Sequence, residues 1–336
     1  MPVDLEVKEL PDRGRGVVAA NPVDAGSVLF FVEPDLAVLY SDSCSAYCAR
    51  CFLELTAGMS NSYTCPTCDQ FVLCHRCHVE SEGDTVGGVR NLLWMHNRYV
   101  CPWYNELPSA AREKGQDTDY VRFALQYMAQ STARHSGETA NAFPAQALLA
   151  LDDSANSQSA ETLQFCEDFS KKVIHSFGKK GGTPPVHLNA KELSDVLLIT
   201  KNNSLGFPCS VRDGELSTII GWSLQSAVCR LNHSCDPNAE IVFPEAQKID
   251  VAQSQKIKQY NGDTFVVDEK ASHSTAGCMA VRSLRPIAKG EEVTISYVNM
   301  GDSALASDVR ARSRHLLEQY RFLCKCPLCL KQRDRN

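Results

Sequence analysis

The chain has 336 residues, 43% of them hydrophobic and 22% charged, which is enough to bury one large core or two smaller ones. Its 34 Lys and Arg residues are outnumbered by 40 Asp and Glu residues, and the net charge of -6 argues against nucleic-acid binding through a basic surface. The N-terminal stretch MPVDLEVKELPDRGRG is too charged for a signal peptide, and no apolar stretch is long enough to span a membrane. We therefore expect a soluble intracellular protein of the cytoplasm or the nucleus.

The first forty residues predict β-structure, followed by a segment of very different composition. β-branched and aromatic runs alternate with the turn signals Asn21-Pro22, Asp24-Ala25-Gly26 and Glu33-Pro34. From Cys44 to Cys101, eight cysteines and a few histidines replace the apolar periodicity. This pattern predicts a small insert that is stabilised by something other than a hydrophobic core.

Helices are predicted in the middle of the chain. Apolar residues recur at helical spacing over residues 107–130 and 161–177, and a third helix is predicted over Asn189–Lys201 with Asn189 as its N-cap. The polar stretches LDDSANSQSAE (151–161) and FGKKGGTPP (177–185) read as loops between these helices.

Strand-like segments return after Asn232. They enclose a long polar segment, Pro244–Gly277, which we interpret as an extended hairpin or an insertion. The chain then ends in a helix and a cysteine cluster. Because strands lie at both ends and helices between them, the pattern predicts an α+β fold whose two ends join in one sheet system.

Sixteen cysteines in a reducing compartment favour metal binding over disulfides. Three Cys-x2-Cys pairs and one His-x4-Cys pair supply eight ligands, enough for two tetrahedral Zn²⁺ sites. With interleaved ligation, one ion is held by Cys48, Cys51, Cys74 and Cys77, and the other by Cys65, Cys68, His96 and Cys101. Cys44, His75 and His78 are candidates to replace one of these ligands, and eight buried apolar cysteines are the alternative without metal.

A third zinc site is predicted near the C-terminus. Cys324, Cys326 and Cys329 are one ligand short of a closed site, and Cys235 is the natural fourth. Cys235 belongs to the polar stretch RLNHSCDPNAE, which lies between apolar segments and so needs partners for its polar groups. We therefore expect about three zinc ions per chain, one of which joins the tail to this stretch.

Four motifs follow one another along the chain: GRG at Gly14–Gly16, NHSCDPN at Asn232–Asn238, GEEVTISY at Gly290–Tyr297, and the terminal cysteine cluster that follows Tyr320 and Phe322. In this order they resemble the motifs of the SET-domain protein lysine methyltransferases. The zinc-rich insert resembles a MYND finger, which points to the SET-and-MYND subclass. The resemblance implies a SET β-core with a β-clip and a pseudoknot, an inserted MYND-like finger, a helical insert and a zinc-binding post-SET tail. The chain resembles short members without the C-terminal helical domain, and this resemblance implies a more open peptide groove.

The resemblance also implies roles for single residues. The S-adenosylmethionine contacts would be Arg13, Arg15, Asn203, Asn232, His233, Tyr297 and Phe322. Tyr297 would also be catalytic, because its hydroxyl would orient the amine and the methyl group, and Tyr320 would line the lysine channel. A glycine at Gly14 would allow close approach of the backbone to the cofactor. Taken singly, the two arginines could be solvated, the aromatic residues could serve packing, and Asn203 could belong to a turn.

The implied domains are the N-terminal part of the SET core (1–43), the finger (44–101), the helical insert (102–200), the C-terminal part of the core (201–300) and the tail (301–336).

The implied function is S-adenosylmethionine-dependent N-methylation of a lysine in a histone or another protein. The alternative is a non-catalytic adaptor, such as a transcriptional cofactor, that binds peptides through its finger. We expect a monomer whose partners are a protein or peptide substrate and a peptide ligand of the finger, without membrane or direct nucleic-acid binding.

Overall fold

A computed structural model describes residues 4–55, 62–83, 92–107, 116–137, 158–177, 189–208, 218–244, 249–252, 254–260, 264–267 and 277–333. The chain divides into two compact units. One comprises Met1–Glu33 and Ser226–Asn336, and the other comprises Pro34–Gln225. Among the described helices, none is long and apolar enough to cross a membrane.

The strands of the first unit are β1 (Leu5–Leu10), β2 (Gly14–Ala19), β3 (Val28–Val32), β9 (Asn232–His233), β10 (Ala239–Val242), β11 (Gln255–Tyr260), β12 (Phe265–Val267), β13 (Met279–Ser283) and β14 (Thr294–Ile295). Its helices are α7 (Ser303–Ser307), α8 (Val309–Tyr320) and α9 (Pro327–Arg333), with a 3₁₀ turn at Val228–Arg230.

The strands of the second unit are β4 (Leu36–Leu39), β5 (Tyr63–Thr64), β6 (Val72–Leu73), β7 (Leu205–Pro208) and β8 (Ile219–Leu224). Its helices are α1 (His75–Gly83), α2 (Leu92–Met95), α3 (Cys101–Glu106), α4 (Gln116–His135), α5 (Ala160–Ser176) and α6 (Ala190–Asn203), with a π-helical turn at His96–Val100 between α2 and α3.

In the first unit, strands from both ends of the sequence form one sheet. Its order is β10-β13-β3-β11-β12, in which β3 pairs antiparallel with β13 and parallel with β11. β3 is a continuous apolar run, VLFFV, and is buried along nearly its whole length, as expected for a central strand covered on both faces. The predicted joining of the two ends is confirmed by these pairings.

Two smaller pairings of the first unit form the framework of the candidate site. β1 and β2 form an antiparallel hairpin, whose turn places Asp12 at φ 60° and Gly14 at φ 66°. β14 pairs in parallel with β9, so that Thr294 lies opposite Asn232 and Ile295 opposite His233. This pairing brings the predicted NHSCDPN and GEEVTISY motifs side by side.

In the second unit, β4, β8 and β7 form an antiparallel sheet in the order β4-β8-β7. Helices α5 and α6 are N-capped by Ser159 and Asn189, whose side chains accept hydrogen bonds from Thr162 N and Glu192 N. The predicted N-cap at Asn189 is therefore confirmed.

One helix boundary differs from the sequence prediction. A helix was expected over residues 107–130; α3 ends at Glu106, residues 108–115 lie outside the described residues, and α4 is described over Gln116–His135. Leu107 has an extended backbone with ψ 148°. The next residue is proline, which disfavours helical geometry at the residue before it. Most of the loops expected over 151–161 and 177–185 lies outside the described residues.

Candidate cofactor pocket and zinc sites

A pocket of about 390 Å³ lies in the first unit, where four parts of its sequence meet. The turn of the β1–β2 hairpin supplies Arg13, β9 supplies Asn232 and His233, and the segment after β14 supplies Tyr297. The tail closes the set with Phe322–Cys326. Five residues that the sequence predicted as cofactor contacts therefore lie in one cavity: Arg13, Asn232, His233, Tyr297 and Phe322.

Glu292 links two of these residues and was not among the predicted ones. Its Oε1 accepts a hydrogen bond from Asn232 Nδ2 at 2.8 Å, and its Oε2 lies 3.2 Å from Arg13 Nε. The guanidinium of Arg13 also donates from Nη2 to the His233 carbonyl at 2.8 Å. Because a charge-assisted hydrogen bond is strong and directional, Glu292 fixes the orientation of both polar side chains.

The imidazole of His233 connects the pocket to the tail. Its Nδ1 accepts a hydrogen bond from Tyr297 N at 3.0 Å, so the proton of the neutral ring lies on Nε2. Nε2 is 3.1 Å from the sulfur of Cys235. Burial lowers the pKa of His233 to about 4, so the ring is neutral at neutral pH.

Tyr297 is held at the centre of an aromatic cluster. Its ring centroid lies 5.3 Å from that of His233 and 5.0 Å from that of Tyr320, and the Phe322 ring stands edge-on at 6.4 Å. Its hydroxyl donates to the Leu231 carbonyl at 2.7 Å. Burial is the main cause that raises the pKa of Tyr297 well above its usual value, so the side chain is a neutral phenol at neutral pH.

Three predicted site residues lie elsewhere. Arg15 contributes its backbone carbonyl, which accepts from Asn232 Nδ2 at 3.4 Å, while its side chain approaches Glu9 at 3.9 Å and does not line the pocket. Tyr320 contacts the ring of Tyr297 but is not a lining residue of this pocket. Asn203 belongs to the second unit, where its side chain donates to the Ile199 carbonyl at 3.0 Å. Their proposed roles at the cofactor or the lysine channel stay predictions.

The two glycines of the GRG motif have different physical roles. At Gly14 the positive φ favours glycine, but a Cβ there would meet nothing within 4 Å. A Cβ at Gly16 would lie 2.7 Å from Asn232 Nδ2 and 2.8 Å from Glu292 Oε1. Gly16 therefore approaches side chains at the pocket closely, while the expected approach of Gly14 to the cofactor stays a prediction.

The cysteines converge in three clusters whose ligand atoms all lie within 4.8 Å of one another. The clusters are Cys48, Cys51, Cys74 and Cys77; Cys65, Cys68, His96 and Cys101; and Cys235, Cys324, Cys326 and Cys329. These are the ligand sets that the spacing predicted.

The distances within the clusters fit zinc. Sulfur atoms at the corners of a tetrahedron around Zn²⁺, each about 2.3 Å from the ion, are about 3.8 Å apart. The observed separations are 3.7 Å between Cys51 and Cys74, 3.7 Å between Cys65 and Cys101, and 3.5 Å between Cys235 and Cys329. A disulfide would need about 2.05 Å, so these are thiol clusters suited to a metal.

The alternative zinc ligands lie outside these clusters. The sulfur of Cys44 is 2.5 Å from Arg122 Nη1 and 3.5 Å from the Tyr40 carbonyl. His78 stacks on Tyr63 with 4.7 Å between ring centroids, and His75 is exposed. The interleaved assignment of the two finger sites therefore holds without substitution.

The tail cluster has a fully buried arginine beside it. Arg312 donates from Nη1 to the carbonyls of Leu305 and Ala306 at 2.7 and 2.8 Å, and its Nη2 lies 3.8 Å from the sulfur of Cys329. Four thiolates around Zn²⁺ carry a net negative charge, which this guanidinium partly compensates. The Cys-rich pattern alone did not identify Arg312.

The pocket combines a cationic, an amide and an aromatic side chain, and its tail wall includes two members of a cluster of four cysteines. The SET domain family model matches residues 14–298, and the chain belongs to the SET domain family.

Relatives along nearly the whole chain agree with this family. Histone-lysine N-methyltransferase ASHR2 of Arabidopsis thaliana is 25% identical, over 97% of this chain and 71% of its own length. N-lysine methyltransferase SMYD2 of Homo sapiens is 24% identical (97% and 60%), and SET and MYND domain-containing protein DDB_G0292140 of Dictyostelium discoideum is 22% identical (97% and 60%). The chain thus spans less than two thirds of the length of the last two relatives. Together with the finger clusters, these matches support a SET-and-MYND protein.

Proposed function

We propose that this chain is a protein-lysine N-methyltransferase that uses S-adenosylmethionine. The observation that carries the proposal is the meeting of Arg13, Asn232, His233, Tyr297 and Phe322 in one cavity of about 390 Å³. Three relatives that match nearly the whole chain have names that describe them as lysine methyltransferases or SET and MYND proteins.

The donor set of the pocket fits this cofactor. The guanidinium of Arg13 would meet its carboxylate, the Asn232 and His233 segment would hold its polar groups, and the Phe322 ring would pack against its adenine. When bound, S-adenosylmethionine supplies an electrophilic methyl group on a sulfonium. No charged nucleophile of the protein is then required, and the residues contribute alignment and electrostatics.

Tyr297 is suited to orient the lysine amine. Its single hydroxyl proton is donated to the Leu231 carbonyl, so its oxygen can only accept a hydrogen bond from another group. An N–H of a neutral lysine amine would supply that bond and leave the nitrogen lone pair free for the methyl carbon. Because burial raises the pKa of Tyr297, the phenol does not serve as the base that deprotonates lysine. The same burial instead disfavours the charged ammonium form of a lysine that enters the site.

The test is methyl transfer from radiolabelled S-adenosylmethionine to a protein array, with Tyr297→Phe as the matched variant. The variant removes one hydroxyl, so we expect kcat to fall by about a hundredfold or more. The affinity for S-adenosylhomocysteine, measured by calorimetry, is expected to stay within about threefold. Activity that is unchanged in Tyr297→Phe would contradict the assigned role. The absence of both cofactor binding and activity in zinc-loaded protein would instead favour an adaptor that binds peptides through the finger.

A further inference from the structure

A second cavity, of about 270 Å³, lies in the second unit and belongs to no function described so far. Tyr40 and Trp222 line it from the β4–β8 sheet, and Asp119 and Tyr120 line it from α4. Thr200 and Lys201 near the end of α6 also line it. Its volume is just below the range of roughly 300–1,000 Å³ typical of small-molecule pockets, so it suits a small head group.

The aromatic walls are fixed by the sheet and by the packing behind them. Val38 lies opposite Trp222 in the β4–β8 register, and Tyr40 N donates to the Ile220 carbonyl, so Tyr40 and Trp222 are diagonal neighbours on one sheet face. The rings of Tyr120 and Trp222 are 5.9 Å apart at 57°, so they form two walls of a corner. Phe123 stacks behind Trp222 at 4.5 Å.

A carboxylate completes the lining. Asp119 lines the cavity, and its Oδ1 accepts hydrogen bonds from Ser41 N at 2.9 Å and from Arg122 Nη2 at 2.6 Å. Burial and then the charge of Asp119 raise the pKa of Tyr40, so Tyr40 is a neutral phenol at neutral pH.

Two cationic side chains, Arg122 and Lys201, lie near the cavity, and only Lys201 is among its lining residues. Arg122 pairs with Asp119 from the interior, where it also donates to the Leu39 carbonyl and Cys44, and it does not line the cavity. The ammonium of Lys201 donates to Thr162 Oγ1 at 2.8 Å. Asp119 and Lys201 are the carboxylate and the ammonium among the lining residues, and each has a partner within the protein.

Three aromatic side chains and one carboxylate form a chemical environment that favours a methylated ammonium ion. The faces of Trp and Tyr rings carry negative electrostatic potential, and methyl groups spread the positive charge of the ion over a surface that is only weakly hydrated. A dimethylammonium keeps one N–H for the Asp119 carboxylate, and a trimethylammonium fills the corner with methyl groups.

We propose that this cavity binds a methylated ammonium group, either on a lysine side chain of a protein or on a free quaternary amine. In a methyltransferase such a site would retain a substrate that already carries a methylated lysine. The site itself does not depend on the proposed transferase function, because its residues belong to the second unit and those of the cofactor pocket to the first.

The decisive comparison is between choline and 3,3-dimethylbutan-1-ol, which has the same shape without the charge. Both are titrated into ¹⁵N-labelled, zinc-loaded protein saturated with S-adenosylhomocysteine, so that the cofactor pocket is occupied. The chain has three tryptophans, and Trp222→Phe assigns the indole resonance of Trp222 by its loss. We expect choline to shift this resonance and to bind about tenfold tighter than the neutral alcohol. Equal binding of the two, shifts at the other tryptophans alone, or no binding would overturn the proposal.

A second set of ligands identifies the source of the ammonium. Nα-acetyl-lysine amide, its dimethyl form and its trimethyl form are compared in the same titration. Methylated forms that bind tighter than choline point to a modified protein, whereas tighter binding of choline points to a free amine. If unmodified lysine binds as well as the methylated forms, the proposal is wrong.

The protein-side variant is Trp222→Phe, which keeps an aromatic ring on Phe123 but presents a weaker cation–π surface. We expect it to weaken choline binding by about three- to tenfold, and the alcohol by less. Trp94→Phe is the matched control, since Trp94 does not line the cavity. Zinc content and S-adenosylhomocysteine affinity report whether each variant is folded. The choline and alcohol comparison on the unaltered protein decides the question even if Trp222→Phe fails to fold.

Discussion

Glu291 and Glu292 are adjacent carboxylates with separate partners. Glu291 accepts from Asn238 at 3.1 Å, from Arg285 at 2.8 Å and from Ala288 N at 2.9 Å, so it holds the turn before β14. Glu292 instead holds Arg13 and Asn232 at the cofactor pocket. Two successive residues of one motif thus position the backbone and the pocket, respectively.

This division predicts that Glu292→Gln weakens cofactor binding while the matched change Glu291→Gln does not. Gln keeps the size of the side chain and an acceptor for Asn232, but it loses the charge that faces Arg13. Since a charge-assisted hydrogen bond contributes about 1 kcal/mol more than a neutral one, we expect the Kd for S-adenosylhomocysteine to rise about fivefold. Calorimetry measures it, and KM for S-adenosylmethionine should rise more than kcat falls. Equal or tighter binding in Glu292→Gln would show that this carboxylate does not position the pocket.

At the scale of elements, the β1–β2 hairpin is built around the contact between Gly16 and β9. The strand must pass close to the amide of Asn232, which in turn is fixed because β9 pairs with β14. The hairpin, β9 and the Glu292 side chain therefore form one packed group, and the shape of the pocket depends on the absence of a single methyl group.

Gly16→Ala tests this packing. The new Cβ would stand 2.5 Å from Leu10 Cδ1 and under 3 Å from Asn232 and Glu292, so these side chains must move. We expect a loss of about 1–3 kcal/mol in the free energy of unfolding and a Kd for S-adenosylhomocysteine at least tenfold higher.

The control is Gly26→Ala, at φ 79° with no atom within 4 Å of a Cβ. That variant is expected to cost about 1 kcal/mol through backbone strain and to leave the Kd unchanged. Similar Kd values for the two variants would argue against the close contact.

Two features position the tail: the cluster of four cysteines suited to a metal, and the buried guanidinium of Arg312. Cys235 is the ligand from the NHSCDPN segment, and the other three ligands follow α8. Arg312 on α8 approaches Cys329 and bonds to the carbonyls of α7. The position of Phe322, between α8 and the first of these tail ligands, is therefore set by contacts on both sides.

For the whole molecule, the sequence predicted the zinc ligands more completely than the pocket. A Cys-x2-Cys turn is a local geometry, so the spacing alone indicated the ligands, and the count of four selected Cys235 as the partner of the tail. The pocket depends on contacts between residues far apart in sequence, such as Arg13 with the carbonyl of His233. The motifs indicated most of its residues, but neither the part played by Glu292 nor the position of the Arg15 side chain follows from a motif.

The same reasoning explains what the sequence did not reveal in the second unit. Tyr40 and Trp222 sit in strand patterns that are equally typical of a packed core, and only the β4–β8 register places them on one face. Asp119 resembles an ordinary polar residue in the first turn of a helix until its partners Ser41 and Arg122 are known. A site that is formed by strand register and helix placement can be recognised only once the tertiary structure is known.

The division into two units predicts that the zinc sites have unequal effects on cofactor binding. Phe322–Cys326 of the tail line the pocket, and His233 Nε2 lies 3.1 Å from the sulfur of Cys235. The eight finger ligands all belong to the second unit, whereas every lining residue of the pocket belongs to the first.

Cys235→Ser and Cys77→Ser are therefore each expected to lower the zinc content from about three ions to about two. Cys235→Ser should raise the Kd for S-adenosylhomocysteine at least tenfold, because Phe322 and the imidazole of His233 lose their support. Cys77→Ser should keep the Kd within about threefold, even if it lowers the thermal stability of the finger. Elemental analysis and calorimetry on the same samples make the comparison, and a Cys235→Ser protein that binds the cofactor normally would separate the tail zinc from the pocket.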